Sequence, residues 1–201
     1  MTDFLLAAIP GELSWRHSPV TWNVDAEERL TIQAGAATDW FSDPAGATRK
    51  DDAPSALFVS ADQGFTLSAR VQVAFASTFD AGALLARVSD DMWAKLCFEY
   101  NLQRQPMVVS VVTRGVSDDC NSAPIAGDSV FLRITRREAI LAFHYSLDGL
   151  FWQLVRYFSL GDAPQMSLGF SAQSPTGSGC VATFSRIRYS PSAVSDLRSG
   201  E

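Results

Sequence analysis

AILAFHYSLDGLFWQLVRYF (residues 139–158) alternates apolar and polar side chains on both sides of an Asp-Gly pair. A period of two is the signature of a half-buried strand, and Asp-Gly between two such runs marks a hairpin. Asp148-Gly149 supplies the positive φ angles that a tight primed turn demands. A two-residue loop sets Tyr145 opposite Trp152, Phe143 opposite Leu154 and His144 opposite Gln153; a three-residue loop with a bulge shifts this by one. Upstream, VFLRIT (130–135) reaches a second turn at Arg137-Glu138, which sets Phe131 beside His144 and Arg133 beside Ala142. Two faces follow. Leu132, Ile134, Leu141, Phe143, Tyr145, Trp152 and Leu154 read as core. Phe131, Arg133, Ala142, His144, Ser146, Gln153 and Val155 form a mixed face, either a shallow ligand surface or a face covered by a loop.

The same alternation runs outward along the chain. GFTLSARVQVAF (64–75) places Phe65, Leu67, Ala69, Val71 and Val73 on one side. MWAKLCFEY (92–100), PMVVSVVTR (106–114), MSLGFSAQ (166–173) and CVATFSRIRY (180–189) behave alike, with turn signals such as ADQG, LGDAP and SPTGSG between them. Roughly a dozen short strands predict an all-β sandwich or barrel. Residues 38–56 and 117–128 read as long loops, and SPSAVSDLRSGE (190–201) as a short helix or a frayed end. The division expected is one β-sandwich domain over 1–190 and a tail over 191–201.

A length of 201 residues, 47% of them hydrophobic and 19% charged, suits one globular unit with a sizeable core. The net charge of −6 and the lack of a Lys/Arg run argue against a nucleic-acid partner. The apolar stretch Phe4–Ile9 lacks a basic flank, so no signal peptide is expected, and no run is long enough to span a membrane. Cys97, Cys120 and Cys180 are odd in number and lack metal or redox spacing, which points to reduced thiols and a cytoplasmic protein. No cofactor, metal or catalytic residue is assigned.

In MWAKLCFEYN (92–101), Trp93, Lys95, Cys97, Glu99 and Asn101 share the face opposite Met92, Ala94, Leu96, Phe98 and Tyr100. An aromatic ring beside a cation and a carboxylate can stack on a sugar and hydrogen-bond its hydroxyls. A covered Trp with a solvated Lys–Glu pair would show the same pattern. Side-chain parity predicts that Trp93, Lys95, Glu99, Arg133 and His144 meet in one hollow of one sheet.

The ordered set LSWRHSPVTWNV, TDWF, DAGALLARVSDDMWAKLCFEYN, SVVTRGVSDD, VFLRITRREAILAFHYSLDGLFW, MSLGFSAQSP and ATFSRIRY resembles a concanavalin A-like lectin/glucanase family over roughly residues 11–190. Its members are domains of unknown function, some of them labelled regulation-of-enolase-like, and the C-terminal modules of some β-xylosidases are similar. The resemblance implies two stacked antiparallel sheets with jelly-roll connections and one concave face, and it implies no established reaction. It also implies that Thr38-Asp39-Trp40-Phe41, Trp93 with Lys95 and Glu99, and Ser117-Asp118 lie on the concave face. The family more often reads Thr-Asp-Phe-Trp and Lys-x-Gly-x-Glu. Here the aromatics of the first are swapped, and Leu96-Cys97 replaces the small residue of the second, which narrows the surface there.

The expected function is binding of a carbohydrate or other small polar ligand through Asp39, Trp40, Trp93, Lys95, Glu99, Ser117, Asp118, Arg133 and His144. One alternative is a protein-interaction module regulating a metabolic enzyme, with Trp40 as an exposed anchor. The other is a glycoside hydrolase or lyase built on Glu99 with Asp39 or Asp118, although the chain lacks the Glu-x-Asp-x-x-Glu run typical of such hydrolases.

Overall fold

A computed structural model describes residues 3–201. These residues form strands and no helix, so no helix is long and apolar enough to cross a membrane. The strands are β1 (Ser14–Arg16), β2 (Thr21–Val24), β3 (Leu30–Gly35), β4 (Trp40–Ser42), β5 (Arg49–Asp51), β6 (Ser55–Ser60), β7 (Gly64–Ala74) and β8 (Ala81–Arg87). There follow β9 (Met92–Tyr100), β10 (Pro106–Arg114), β11 (Val116–Pro124), β12 (Ser129–Arg137), β13 (Ile140–Ser146), β14 (Gln153–Ser159), β15 (Met166–Gln173) and β16 (Gly179–Ser190).

They build two antiparallel seven-stranded sheets. The front sheet has the order β1-β6-β15-β8-β9-β10-β11 and the back sheet β14-β13-β12-β7-β16-β3-β2. This is an all-β sandwich of jelly-roll type. Period-two patterning makes it so, because each sheet has one apolar face and the two faces bury each other. Phe65, Leu67, Ala69 and Val71 of β7 meet Ala94, Leu96 and Phe98 of β9 in one continuous core, all fully buried.

Three stretches depart from the sequence reading. Residues 116–124 are a strand, β11, despite the polar run SDDCNSA. It is a sheet edge with most side chains exposed, so it carries no apolar alternation to read. Residues 38–56 are not a loop either: β4 and β5 pair as a small hairpin, Trp40 opposite Asp51, and β6 begins at Ser55. The last eleven residues are neither helical nor frayed. They form turns against the back sheet, with Leu197 and Gly200 buried.

The quoted hairpin is a hairpin, with a shifted register. Tyr145 faces Gln153 and His144 faces Leu154, and a bulge follows before Phe143 meets Arg156. Only Gly149 of the Asp-Gly pair has positive φ, at 77°. The Asp148 carboxylate accepts the N–H groups of Leu150 and Phe151 at 2.8 and 2.9 Å, and the Ser146 hydroxyl accepts that of Gly149 at 2.9 Å. These side chains hold a wider loop than a primed turn. The slip removes Trp152 and Leu154 from the core face and lets Val155 pack on it instead. At the other turn Arg137 pairs with Ile140, so Arg133 faces His144 and Phe131 faces Ser146. That offset is two residues, so the faces of β12 and β13 stay as read.

Candidate functional site

The outer face of the front sheet carries Trp93, Lys95, Cys97 and Glu99 of β9, next to Val109 and Val111 of β10. The β4–β5 hairpin lies across it. Its clasp is Ser117, whose hydroxyl accepts the Ser42 N–H at 2.9 Å and bonds Thr113 Oγ1 at 2.8 Å. Trp40 anchors the hairpin, packing edge-on against Trp93 with centroids 5.5 Å apart and donating Nε1–H to the Ala53 carbonyl and the Ser55 hydroxyl, both at 3.0 Å. Both tryptophans are 1% exposed. They form a small core with Leu85 and Val111 under the hairpin. The expectation of an exposed stacking platform at Trp40 and Trp93, and of Trp40 as an exposed anchor, is therefore corrected. The hairpin that sequence reading took for a loop covers them.

Beside this core the hairpin leaves a cavity of about 180 Å³ lined by Asp39, Phe41, Phe79, Lys95, Glu99, Val109, Val111, Asp119 and Gln173. Lys95 Nζ donates to Asp39 Oδ1 at 3.0 Å and to Gln173 Oε1 at 2.7 Å. Gln173 Nε2 donates to the Phe79 carbonyl at 3.2 Å. Phe79 holds φ +68°, unusual for a bulky residue, and its loop is tied down by buried Asp80, which accepts the N–H groups of Ala76 and Ser77 and the Ser174 hydroxyl. Among the described residues the Glu99 carboxyl has no hydrogen-bond partner, and it faces the cavity.

Burial disfavours the Lys95 ammonium, yet the Asp39 carboxylate beside it more than offsets this and holds its pKa above the usual lysine value. Burial pushes the Glu99 carboxyl up to about 8; Lys95 opposes the rise, and Asp39 and Asp119 add to it. Burial also drives the Cys97 thiol far up, so it stays protonated and inert. At neutral pH the cavity thus presents the Lys95–Asp39 ion pair, the Asp119 carboxylate, a protonated carboxyl that can donate, and an amide. Two phenyl rings and two valines form the apolar walls.

Asp39, Lys95 and Glu99 meet as the sequence reading expects. Ser117 sits behind them as the clasp. Asp118 does not line the cavity: it faces Val112 across the β10–β11 ladder, on the other side of β11, and pairs with Arg156 of β14 at 2.9 Å. Its neighbour Asp119, opposite Val111, takes the place expected of it. Arg133 and His144 lie on the outer face of the back sheet, with the whole sandwich between them and Lys95. The single shared hollow is thereby overturned. Parity tells inside from outside within a sheet but not which of two outer faces a strand presents. Gln173 and Phe79 escaped the sequence reading. Gln173 closes the strand MSLGFSAQ opposite Ala81, and only the β15–β8–β9 order brings it to Lys95.

A family described as "Protein of unknown function (DUF1349)" matches residues 15–192. "Regulation of enolase protein 1" of Saccharomyces cerevisiae is 29% identical over 175 residues, covering 86% of each chain. The crystal structure of a functionally unknown protein from Saccharomyces cerevisiae superposes with a TM-score of 0.81 at 23% identity, covering 92% of this chain and 97% of that one. The Bacillus licheniformis GH43 protein BlXynB (K247S mutant) gives 0.71 at 15% identity, over 96% of this chain but 38% of its own length. The carbohydrate-binding module CBM66 from Bacillus subtilis gives 0.53 at 11%, over 87% and 94%. At these identities the structural likenesses speak for the shared sandwich alone.

Proposed function

This chain belongs to the DUF1349 family, and we propose that it is a cytoplasmic binding domain whose front-sheet cavity takes one small, neutral, polar ring, such as a single sugar unit. The carrying observation is the cavity itself: about 180 Å³, with Lys95, Gln173 and Glu99 among its polar lining and Phe41, Phe79 and Val111 among its apolar lining. An engineered cavity of about 150 Å³ admits one benzene ring, so this volume suits one ring and not an oligosaccharide. Charge selects further. Asp39 already neutralises Lys95, and Asp119 adds a further carboxylate, so an anionic ligand would find no free cation here. A ring with hydroxyls on its rim and C–H groups on its faces matches both walls. The likeness to a carbohydrate-binding module is compatible with this reading.

The test is ¹⁵N NMR titration with a panel of monosaccharides at millimolar concentration, using the native chain and Val109→Phe, which fills the cavity. The expected result is shifts at Gln173, Phe79 and Phe41 that vanish in Val109→Phe. Silence across the panel overturns the reading.

A second reading is hydrolytic or lyase chemistry. It is favoured by the meeting of Glu99, Asp39 and Asp119 around one cavity, where a carboxyl that keeps its proton at neutral pH has the state required of a general acid. Turnover of aryl glycosides that Glu99→Gln abolishes would favour it over simple binding. The regulatory alternative rests on the printed name of the yeast relative; a partner would dock at the exposed hairpin tip of Leu147, Leu150 and Phe151.

A further inference from the structure

The outer face of the back sheet holds a second site of opposite electrostatic character. Strand register sets His144, Arg133, Ser68 and Arg188 in one row across β13, β12, β7 and β16. Arg133 and Arg188 therefore flank Ser68 on either side, two strand spacings apart, or about 10 Å between backbones. Arg188 is in this row only because β16 bulges. Ser185 pairs with Arg70, and an unbroken ladder would bring Ile187 opposite Ser68. The irregularity before Arg188, where Arg186 takes φ +50°, turns the arginine outward and Ile187 toward the core. Such a bulge, with a strained non-glycine residue, re-aims a side chain at the cost of a regular ladder.

Arg133 is 6% exposed and has no carboxylate partner among the described residues. Its Nη2 donates to the Gly200 carbonyl at 2.8 Å, its guanidinium lies 4.1 Å from the Trp152 ring centroid, and its buried Nε–H has no acceptor. A Cβ on Gly200 would lie 2.5 Å from Nη2, and its φ of +83° also favours glycine, so the tail closes tightly over one side of the guanidinium. On the other side a groove of about 460 Å³ opens between Arg133, Arg188, Ser68 and Trp152. Asp148, in an adjoining pocket that shares Ser68 and Arg188, is occupied by Ser146 and two backbone N–H groups. A buried guanidinium without an anion is costly. Arg188, exposed at the surface, adds a second cation to the same groove.

We propose that this groove binds a dianionic phosphate group, free or as the monoester of a small molecule, clamped by Arg133 and Arg188 with the Ser68 hydroxyl between them and Trp152 as the wall for an organic remainder. Two guanidiniums balance two negative charges, and their planar forks match tetrahedral oxyanions. The site is independent of the front cavity and of the function proposed for it.

Isothermal titration calorimetry at low ionic strength, with inorganic phosphate, glucose 6-phosphate and glucose, tests it. The native chain is compared with Arg188→Gln, an exposed substitution that leaves the fold intact, and with Val109→Phe. The expected result is binding of phosphate or its ester but not of glucose at this site. Arg188→Gln weakens it about tenfold or more, with unchanged melting temperature, and Val109→Phe leaves it unaffected. Tighter binding of the ester than of inorganic phosphate assigns the organic remainder to the Trp152 wall; equal binding assigns the site to the free ion. No phosphate binding at millimolar concentration, equal affinity in Arg188→Gln, or loss in Val109→Phe overturns the proposal.

Discussion

Replacing Glu99 by Gln should make the protein more stable at neutral pH and remove a slope from its pH–stability curve. In the unfolded chain a glutamate ionises from pH 4.5 upward; in the folded cavity Glu99 keeps its proton until about 8. The folded pKa is raised, so the folded state gains relative to the unfolded one only where both are protonated, and this advantage is lost as pH rises from 4.5 to 8. Each pH unit in that window costs about 1.4 kcal/mol. At pH 7 the native chain is therefore about 3 kcal/mol below what an uncharged isostere would give. Glutamine keeps the size and a donor for the cavity but cannot ionise. Urea denaturation of both proteins at pH 5, 6, 7 and 8 is the assay. The Glu99→Gln advantage should be small at pH 5, about 3 kcal/mol at pH 7, and level above 8. His144 contributes a slope of its own, but the same in both proteins, so the difference isolates Glu99. A constant difference between the two curves from pH 5 to 8 would refute the claim that this carboxyl is buried and neutral.

Other perturbations separate the parts of the molecule. Lys95→Met leaves Asp39 without its cation and should cost about 3 kcal/mol, most of it recovered in Lys95→Met/Asp39→Asn; equilibrium denaturation of the two singles and the double reads the coupling. Trp93→Ala should lose about 3–5 kcal/mol, as for a core aromatic, and an effect within about 0.5 kcal/mol in the same denaturation series would mean the ring is exposed after all. Burial, aided by the Arg133 charge, pushes His144 down to about 4 from 6.5, so the unfolded chain takes up the proton first as pH falls. Its contribution is complete above pH 6.5 and should drop by about 3 kcal/mol down to pH 4 in an acid titration of stability, a drop absent from His144→Leu.

The sequence made the layers of this sandwich legible where one face of a strand is apolar and the other is not. Phe65 to Val73 and Ala94 to Phe98 are read correctly because burying one side of a pleated strand demands period two. β11 is invisible to the same rule, since an edge strand with little burial has nothing to alternate. Trp152 is misplaced because Ser146 and Asp148 side chains, not backbone φ alone, set the loop length. At the site, Lys95 and Glu99 are legible as sharing a face, but their burial is not. It depends on the 40–51 hairpin, whose own sequence, WFSDPAGATRKD, shows a turn and says nothing of where it docks.

The division of charge between the two outer faces follows from what covers each. On the front, the hairpin brings Asp39 over Lys95, so the cover carries the counter-charge of the buried ammonium. On the back, the tail brings a backbone carbonyl and a glycine over Arg133, which excludes water from the guanidinium without neutralising it. Desolvation without compensation is unstable for an isolated ion, and the β16 bulge adds a second cation to the same row rather than a carboxylate. A fold selected only for stability would place an Asp or Glu at Ser68, midway between the two arginines. A hydroxyl there, which can donate to an oxyanion as well as accept, keeps that position open for an anion from solution.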